Sequence, residues 1–171
     1  MRTSLLLSLL LLLIASSGSA LAQSASGSEP VVIAIFPFKN VTGEVKYDEL
    51  GWSFADSLEK YLNTSELAGK EFTLVPTSDI RDQMLAQNVD VKSPSYEGDV
   101  WMVAEALGAK KVIWGTYVVK YDKANIETKV IDVKTVMPDA QHFADKIRLP
   151  YPEGLAAVKT VGDKILPAMH P

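Results

Sequence analysis

The apolar positions of the chain form runs and stripes that predict alternating strands and helices. Residues 31–36 (VVIAIF) form a continuous apolar run, typical of a strand buried on both faces, and residues 72–75 (FTLV) predict a second short buried strand. Residues 111–121 (KVIWGTYVVKY) are the longest candidate for a buried strand. Residues 124–132 alternate apolar and polar side chains, as in an antiparallel strand with one wetter face. A last strand over 141–149 is the weakest of these predictions.

Apolar stripes of helical period predict four helices between or after these strands. They begin near Leu50, Thr77, Val100 and Pro152, and the third ends at Gly108, where a left-handed cap is expected. The predicted order is βαβααβββα. Helical crossovers imply parallel neighbours with right-handed connections, and the second half is a meander. Residues 31–171 are therefore expected to form one α/β domain of mixed α+β character. Its single mixed β-sheet has about five strands, flanked by three to four helices.

The first 22 residues have the pattern of a secretory signal peptide. Arg2 is followed by a Leu-rich apolar stretch over 5–14 and by the small-x-small site Ala20-Leu21-Ala22. Ten apolar residues span about 15 Å as a helix, about half the hydrocarbon thickness of a bilayer, which disfavours a membrane anchor. We expect cleavage after Ala22 and a Ser/Gly-rich flexible leader over 23–30. The mature protein is then periplasmic, with no integral membrane segment.

Composition narrows the chemistry that the chain offers. Its 171 residues carry 17 Lys and Arg against 21 Asp and Glu, a net charge of −4 without a basic block. Because phosphate neutralisation needs clustered cations, no nucleic acid is expected as a partner. The sequence has no cysteine, which excludes disulfides and thiolate nucleophiles. With only two histidines in addition, the usual zinc sites are excluded as well. A Gly-x-Ser-x-Gly elbow, a phosphate loop and a calcium loop are also missing from the sequence. We therefore predict no enzyme, with no catalytic residue, metal or cofactor.

Several motifs, in order along the chain, resemble the amino-terminal domain of the TolB family. The segment Pro37-Phe38-Lys39-Asn40-Val41-Thr42-Gly43 is similar to the family's strand ending in Pro-Phe-x-Asn-x-Ser-Gly, with Thr42 in place of Ser. Residues 106–117 look like its Leu-Gly-x-x-hydrophobic strand ending in Gly-Ser/Thr, and 130–135 like its next strand and turn. The resemblance spans about residues 31–149.

The resemblance also implies a function. Relatives with this domain, including TolB, the curli secretion lipoprotein CsgG and other envelope lipoproteins, bind envelope proteins without chemistry of their own. This chain departs from them because no β-propeller follows the domain and no lipobox cysteine exists. We therefore expect a periplasmic, non-enzymatic protein-interaction module of the bacterial cell envelope, of open oligomeric state. The alternative is a binder of a small ligand, a nucleotide or cell-wall fragment, at the carboxyl ends of the parallel strands.

Six residues are candidates for the partner surface. Trp52 lies about 160° from Phe54 on the first predicted helix, off the buried stripe. Packing of Trp52 beneath the loop over 39–49 is the favoured interpretation, and a partner surface is the alternative, because exposed aromatics are typical interface anchors. The loop residues among the candidates have a purely structural alternative as turn determinants. The full set is Phe38, Asn40, Thr42, Trp52, Tyr96 and Trp101.

The shape of the surface is expected to discriminate between the two functions. A concave pocket above about 300 Å³ with converging polar groups favours the small ligand. A flat apolar patch ringed by polar residues favours a protein partner.

The signal-peptide prediction is tested by the mature amino terminus. We expect the chain exported by a bacterial host to begin at Gln23, because signal peptidase requires small residues at Ala20 and Ala22. Intact-mass measurement of the periplasmic fraction checks this. The variant Ala22→Leu should stay at the mass of the full chain, and a wild-type mass equal to the full chain would contradict the prediction.

Overall fold

The computed structural model describes residues 29–151 and 153–170, so the predicted signal peptide and most of the leader lie outside the described residues. The strands are β1 (Val31–Ile35), β2 (Lys39–Asn40), β3 (Phe72–Val75), β4 (Lys111–Lys120), β5 (Lys123–Asp132) and β6 (Met137–Pro150). The helices are α1 (Glu49–Leu62), α2 (Thr77–Ala86), α3 (Tyr96–Ala106) and α4 (Ala157–Ile165). Three 3₁₀ turns cover Val45–Tyr47, Glu153–Ala156 and Leu166–Met169. Within the described ranges, no helix has the length and apolar character needed to cross a membrane.

All six strands belong to one mixed sheet, which confirms the predicted fold class. The strand order is β3-β1-β4-β5-β6, with β2 also beside β4. β1 is parallel to β3 and β4, whereas β4, β5 and β6 form an antiparallel meander. Ile35 lies opposite Ile113 and Lys39 lies opposite Thr116, so β2 prolongs the line of β1 along β4. This two-residue continuation is why the sheet has six strands and not five.

Helices cover both faces of the parallel half of the sheet, because β1 is apolar on both sides. Ile33 and Ile35 face one core cluster, while Ala34 and Phe36 face the other, and all four are fully buried. The first cluster is completed by α1 and α4 through Phe54, Leu58, Leu62, Val158, Val161 and Ile165. The second is completed by α2 and α3 through Ile80, Met84, Val100 and Val103.

The sequence pattern predicts three local features that the structure does not have: an N-cap of α2 at Thr77 or Ser78, a turn on Asp122-Lys123, and a buried Leu155. Thr77 does not cap α2, since the N-cap is Pro76; the Thr77 N–H instead donates to Glu59 Oε2 of α1 at 3.0 Å. The turn after β4 falls on Tyr121-Asp122, one residue earlier than expected. Leu155 is exposed because it lies in a 3₁₀ turn before α4.

Gly115, in the middle of β4, makes room for the Phe38 side chain. A Cβ at position 115 would overlap the Phe38 ring and would lie 2.7 Å from the Glu127 carbonyl oxygen. A Cβ at Gly51, in the first turn of α1, would overlap the Phe38 carbonyl oxygen. A glycine inside a buried strand predicts the close approach of a helix or a bulge; at Gly115 the group that approaches is instead an aromatic ring.

We expect Gly115→Ala to lower the free energy of unfolding by about 1–3 kcal/mol, because the added methyl group forces Phe38 and the backbone of β5 apart. The matched control is Gly98→Ala in α3, where an added Cβ meets nothing within 4 Å. Alanine favours a helix over glycine, so that variant should be neutral or slightly stabilised. Urea unfolding of both variants checks this. Equal midpoints for the two would show that the Phe38 ring can move to make room for a methyl group at position 115.

Candidate functional site

A cleft of about 430 Å³ opens at the carboxyl end of β1. One wall is built by Pro37–Asn40, by loop residues up to Asp48 and by the start of α1; the other is built by Asp90–Lys92, from the loop before α3. The connections from β1 and β3 leave here for helices on opposite faces of the sheet. In open α/β sheets this is the position at which ligands bind.

The segment over residues 37–48, called the rim loop below, is held in shape by the Asn40 side chain. Asn40 Oδ1 accepts a hydrogen bond from the Thr42 N–H at 2.9 Å. Asn40 Nδ2 donates to the Glu44 carbonyl oxygen at 3.0 Å and to Asp48 Oδ1 at 2.7 Å. Gly43 supplies the positive φ of +83° that the turn requires. An amide that both donates and accepts explains why asparagine is suited to this position.

Thr42 satisfies a backbone group of the sheet with its side chain. The Val41 N–H donates to the Tyr117 carbonyl at 3.0 Å, which is the last backbone bond between this segment and β4. Two residues further along β4, the Val119 N–H donates to Thr42 Oγ1 at 2.8 Å. A hydroxyl at position 42 thus takes the place of a further strand residue. Serine and threonine both supply this acceptor.

An ion pair joins the two walls of the cleft. Lys92 Nζ lies 2.8 Å from Asp48 Oδ2, while Asp48 Oδ1 accepts from Asn40. Lys92 and then Asn40 lower the pKa of the Asp48 carboxyl group, and Asp48 raises the pKa of Lys92. Both groups are therefore charged at neutral pH, and both Asp48 oxygens are already occupied.

Two buried tyrosines fix the ends of the rim loop from beneath. The Tyr96 hydroxyl donates to the Pro37 carbonyl at 2.8 Å, and the Tyr117 hydroxyl donates to the Tyr47 carbonyl at 2.6 Å. Burial raises the pKa of both hydroxyl groups, so they stay protonated donors. The loop is consequently anchored at its start and near its end by side chains of α3 and β4.

Two of the six sequence candidates do not lie on the surface. Phe38 is 2% exposed and Tyr96 is 0% exposed, so neither side chain contacts a partner directly, and their assignment to an exposed surface is wrong. Phe38 packs on Phe54 with ring centroids 5.6 Å apart, and the Tyr96 hydroxyl donates its hydrogen bond to the Pro37 carbonyl oxygen. Both residues shape the cleft from inside the core.

The other four candidates are half-buried, and only two of them line the cleft. Asn40 and Trp52 contribute to its wall, and the Trp52 ring is covered on one side by Arg81, whose guanidinium carbon lies 3.9 Å from the ring centroid. Thr42 faces β4. Trp101 packs on the second core cluster, away from the cleft.

Sequence reasoning missed Val45 and Lys92 as parts of the cleft. Val45 is 75% exposed and lies on the rim loop. A single valine among polar residues, outside any helical or strand period, was the available signal. Lys92 has no local signal, because its partner Asp48 belongs to a distant part of the chain.

Known proteins share the fold but not the sequence. No family model and no curated protein matches the chain. LpoB from Escherichia coli is 15% identical with a TM-score of 0.54, over 71% of this chain and 58% of LpoB. The lipoprotein GNA1162 from Neisseria meningitidis is 14% identical with a TM-score of 0.53, over 77% of this chain and 91% of that protein. TolB from Acinetobacter baumannii is 21% identical over 82% of this chain and 28% of TolB. Its TM-score of 0.49 supports no conclusion, so membership of the TolB family stays a prediction.

The hydroxyl of Thr42 can be tested by isosteric replacement. We expect Thr42→Val to cost about 1–3 kcal/mol of unfolding free energy, because the Val119 N–H loses its acceptor. Thr42→Ser keeps the acceptor and should stay within about 0.5 kcal/mol of wild type. Hydrogen exchange at the Val119 amide is the direct readout. Equal protection in the two variants would show that the side chain does not complete the sheet.

Proposed function

We propose that this protein is a non-catalytic binding module of the bacterial cell envelope that engages a partner protein through the rim of the cleft. The export signal of the sequence and a fold shared with LpoB and with a lipoprotein support the envelope assignment. Within the described residues, every carboxyl group with a perturbed pKa is shifted downward: Asp48, Asp132, Asp139 and Asp163. A general acid requires the opposite shift, which supports binding without chemistry.

The observation that carries the proposal is that the three polar side chains that join the walls of the cleft bind one another. Asp48 binds Lys92 and Asn40, and Asn40 also binds the Thr42 and Glu44 backbone. The outside of the rim loop is accessible: Val41 and Val45 are exposed there, and Val45 stands between Glu44 and Lys46. An exposed aliphatic side chain on a rigid loop with a charged surround suits a protein surface better than a small polar ligand.

The free edge of β6 is a poorer docking site than the rim loop. Register shifts interrupt its pairing with β5, and Lys146 in the strand has a positive φ of 54°. Prolines stand at Pro138 and Pro150 near its two ends. Bulges, charges and prolines are the devices by which edge strands resist strand addition.

A small ligand is the second candidate, and the volume of the cleft favours it. The cleft exceeds the roughly 300 Å³ at which ligand pockets begin, and polar side chains from three segments converge on it. Such a ligand has to displace Lys92 from Asp48 or bind around the pair. The half-buried Trp52 offers an optical reporter for either event.

We expect Val45→Asp to reduce capture of the partner by about tenfold without a change in melting temperature, because the charge is added at an exposed interface residue. The matched control is Leu85→Asp on α2, where the leucine is 77% exposed, slightly more than Val45 at 75%. The mature protein on a resin, crosslinked in envelope extract, provides the measurement.

Capture that is equal for Val45→Asp and Leu85→Asp would show that the rim is not the interface. The low-molecular-mass fraction of the same extract tests the alternative. If that fraction alone quenches Trp52 fluorescence and raises the melting temperature, the small ligand is the function.

A further inference from the structure

The hairpin between β4 and β5 turns on two residues that adopt an unfavourable backbone conformation. Tyr121 and Asp122 both have φ of 53° and connect Lys120 to its partner Lys123. Two consecutive positive φ values define a type I′ turn, for which Asn-Gly is the preferred pair. A bulky residue such as tyrosine is strained in this region, because its Cβ approaches the following carbonyl oxygen.

Packing does not compensate for the strain at Tyr121. Its side chain is 79% exposed, and the neighbouring Lys120 Nζ lies 5.2 Å from the ring centroid. The fold therefore gains little from a tyrosine here. Strained residues kept at a stability cost cluster at binding sites, and tyrosine is among the residues most enriched in interface anchors.

The hairpin tip lies beside the rim loop. The Tyr151 N–H donates to the Asp122 carbonyl at 2.7 Å, and the Tyr151 ring packs edge-on against Tyr47, with centroids 4.9 Å apart. Tyr47 closes the 3₁₀ turn that begins at Val45. Tyr121 and Val45 consequently stand at the same end of the molecule.

The charge at the hairpin tip is positive, although the chain as a whole is acidic. The exposed Lys120 and Lys123 stand on either side of Tyr121 and outnumber the single carboxylate of Asp122. Beside Val45, Lys46 is paired with Glu44 at 2.8 Å and adds no net charge. A protruding ring between two lysines complements an acidic protein face with a pocket for a ring.

We propose that Tyr121 is an aromatic anchor that inserts into an acidic face of the partner protein, next to the contact made by Val45. The inference rests on the proposed function and names the chemistry of its partner. Tyr121 differs from the similarly strained and also exposed Val136 because it carries an aromatic ring, stands between two lysines and lies beside the rim loop.

The test separates stability from binding with two variants of the same kind. Asparagine tolerates positive φ, so Tyr121→Asn should raise the melting temperature by about 2–4 °C. The control is Val136→Asn in the hairpin between β5 and β6, where Val136 has φ of 56° and is also exposed. Val136 belongs to the opposite end of the sheet, so this variant should gain similar stability.

Binding is measured with the mature protein carrying a benzophenone side chain at position 45 or 121, irradiated in envelope extract. The protein crosslinked at both positions is identified, purified and titrated against the variants. We expect Tyr121→Asn to weaken its binding about tenfold, the double variant Lys120→Glu/Lys123→Glu to weaken it further, and Val136→Asn to bind as wild type.

Three results would overturn the inference. The first is a Tyr121→Asn variant that binds the partner as tightly as wild type. The second is a crosslink from position 45 but not from 121, which leaves the proposed function intact and removes Tyr121 from the interface. The third is flotation of the wild type with phosphatidylglycerol vesicles, abolished by Tyr121→Asn, which would make the tip a membrane contact. Crosslinks from neither position would instead end the proposed function itself.

Discussion

The packing of Phe38 between Gly51 and Gly115 is the constraint on which the rest of the structure depends. Its ring occupies the space above Gly115, its carbonyl lies against Gly51, and its N–H donates to the Gly51 carbonyl at 3.1 Å. One residue thereby connects the end of β1, the first turn of α1 and the centre of β4. Because interiors are close-packed, none of these elements can shift without the others. The wall of the cleft is rigid for the same reason, because Phe38 and Gly51 belong to it.

Polar bonds extend the same rigidity outward from the core to the surface. Tyr96 and Tyr117 bond the backbone of the rim loop from below, Asn40 bonds it from within, and Thr42 attaches it to β4. These groups are half-buried or buried and each has a partner, as interior polar groups require. Their role is to position Val45 rather than to touch a partner themselves.

The sequence predicted the elements whose pattern is local and missed the contacts that are not. Residues 31–36 and the helix from Leu50 to Leu62 were recognisable because a strand buried on both faces, or a helix with one buried face, shows its burial in consecutive residues. Residues 72–75 also form a strand, but the prediction that it is buried is wrong at Thr73, which is exposed because β3 lies at the edge of the sheet. Phe38 and Tyr96 are flanked by proline or polar residues, so their neighbours along the chain gave no sign of burial. Phe38 is buried against Gly115, and the buried Tyr96 hydroxyl donates to the Pro37 carbonyl; in each pair the two residues are distant in sequence.

A loop that is already ordered before binding lowers the free-energy cost of association for a weakly apolar surface. Ordering a flexible loop on association costs free energy for each side chain immobilised, and that cost is subtracted from the gain at the interface. In this protein the cost is met during folding, by hydrogen bonds that Asn40, Thr42 and Asp48 make whether or not a partner is present. An exposed valine such as Val45 then suffices as a contact, because it is already held in position. The same reasoning explains why substitutions of the half-buried polar residues act on binding through geometry, whereas substitutions on the outside of the loop act through contact.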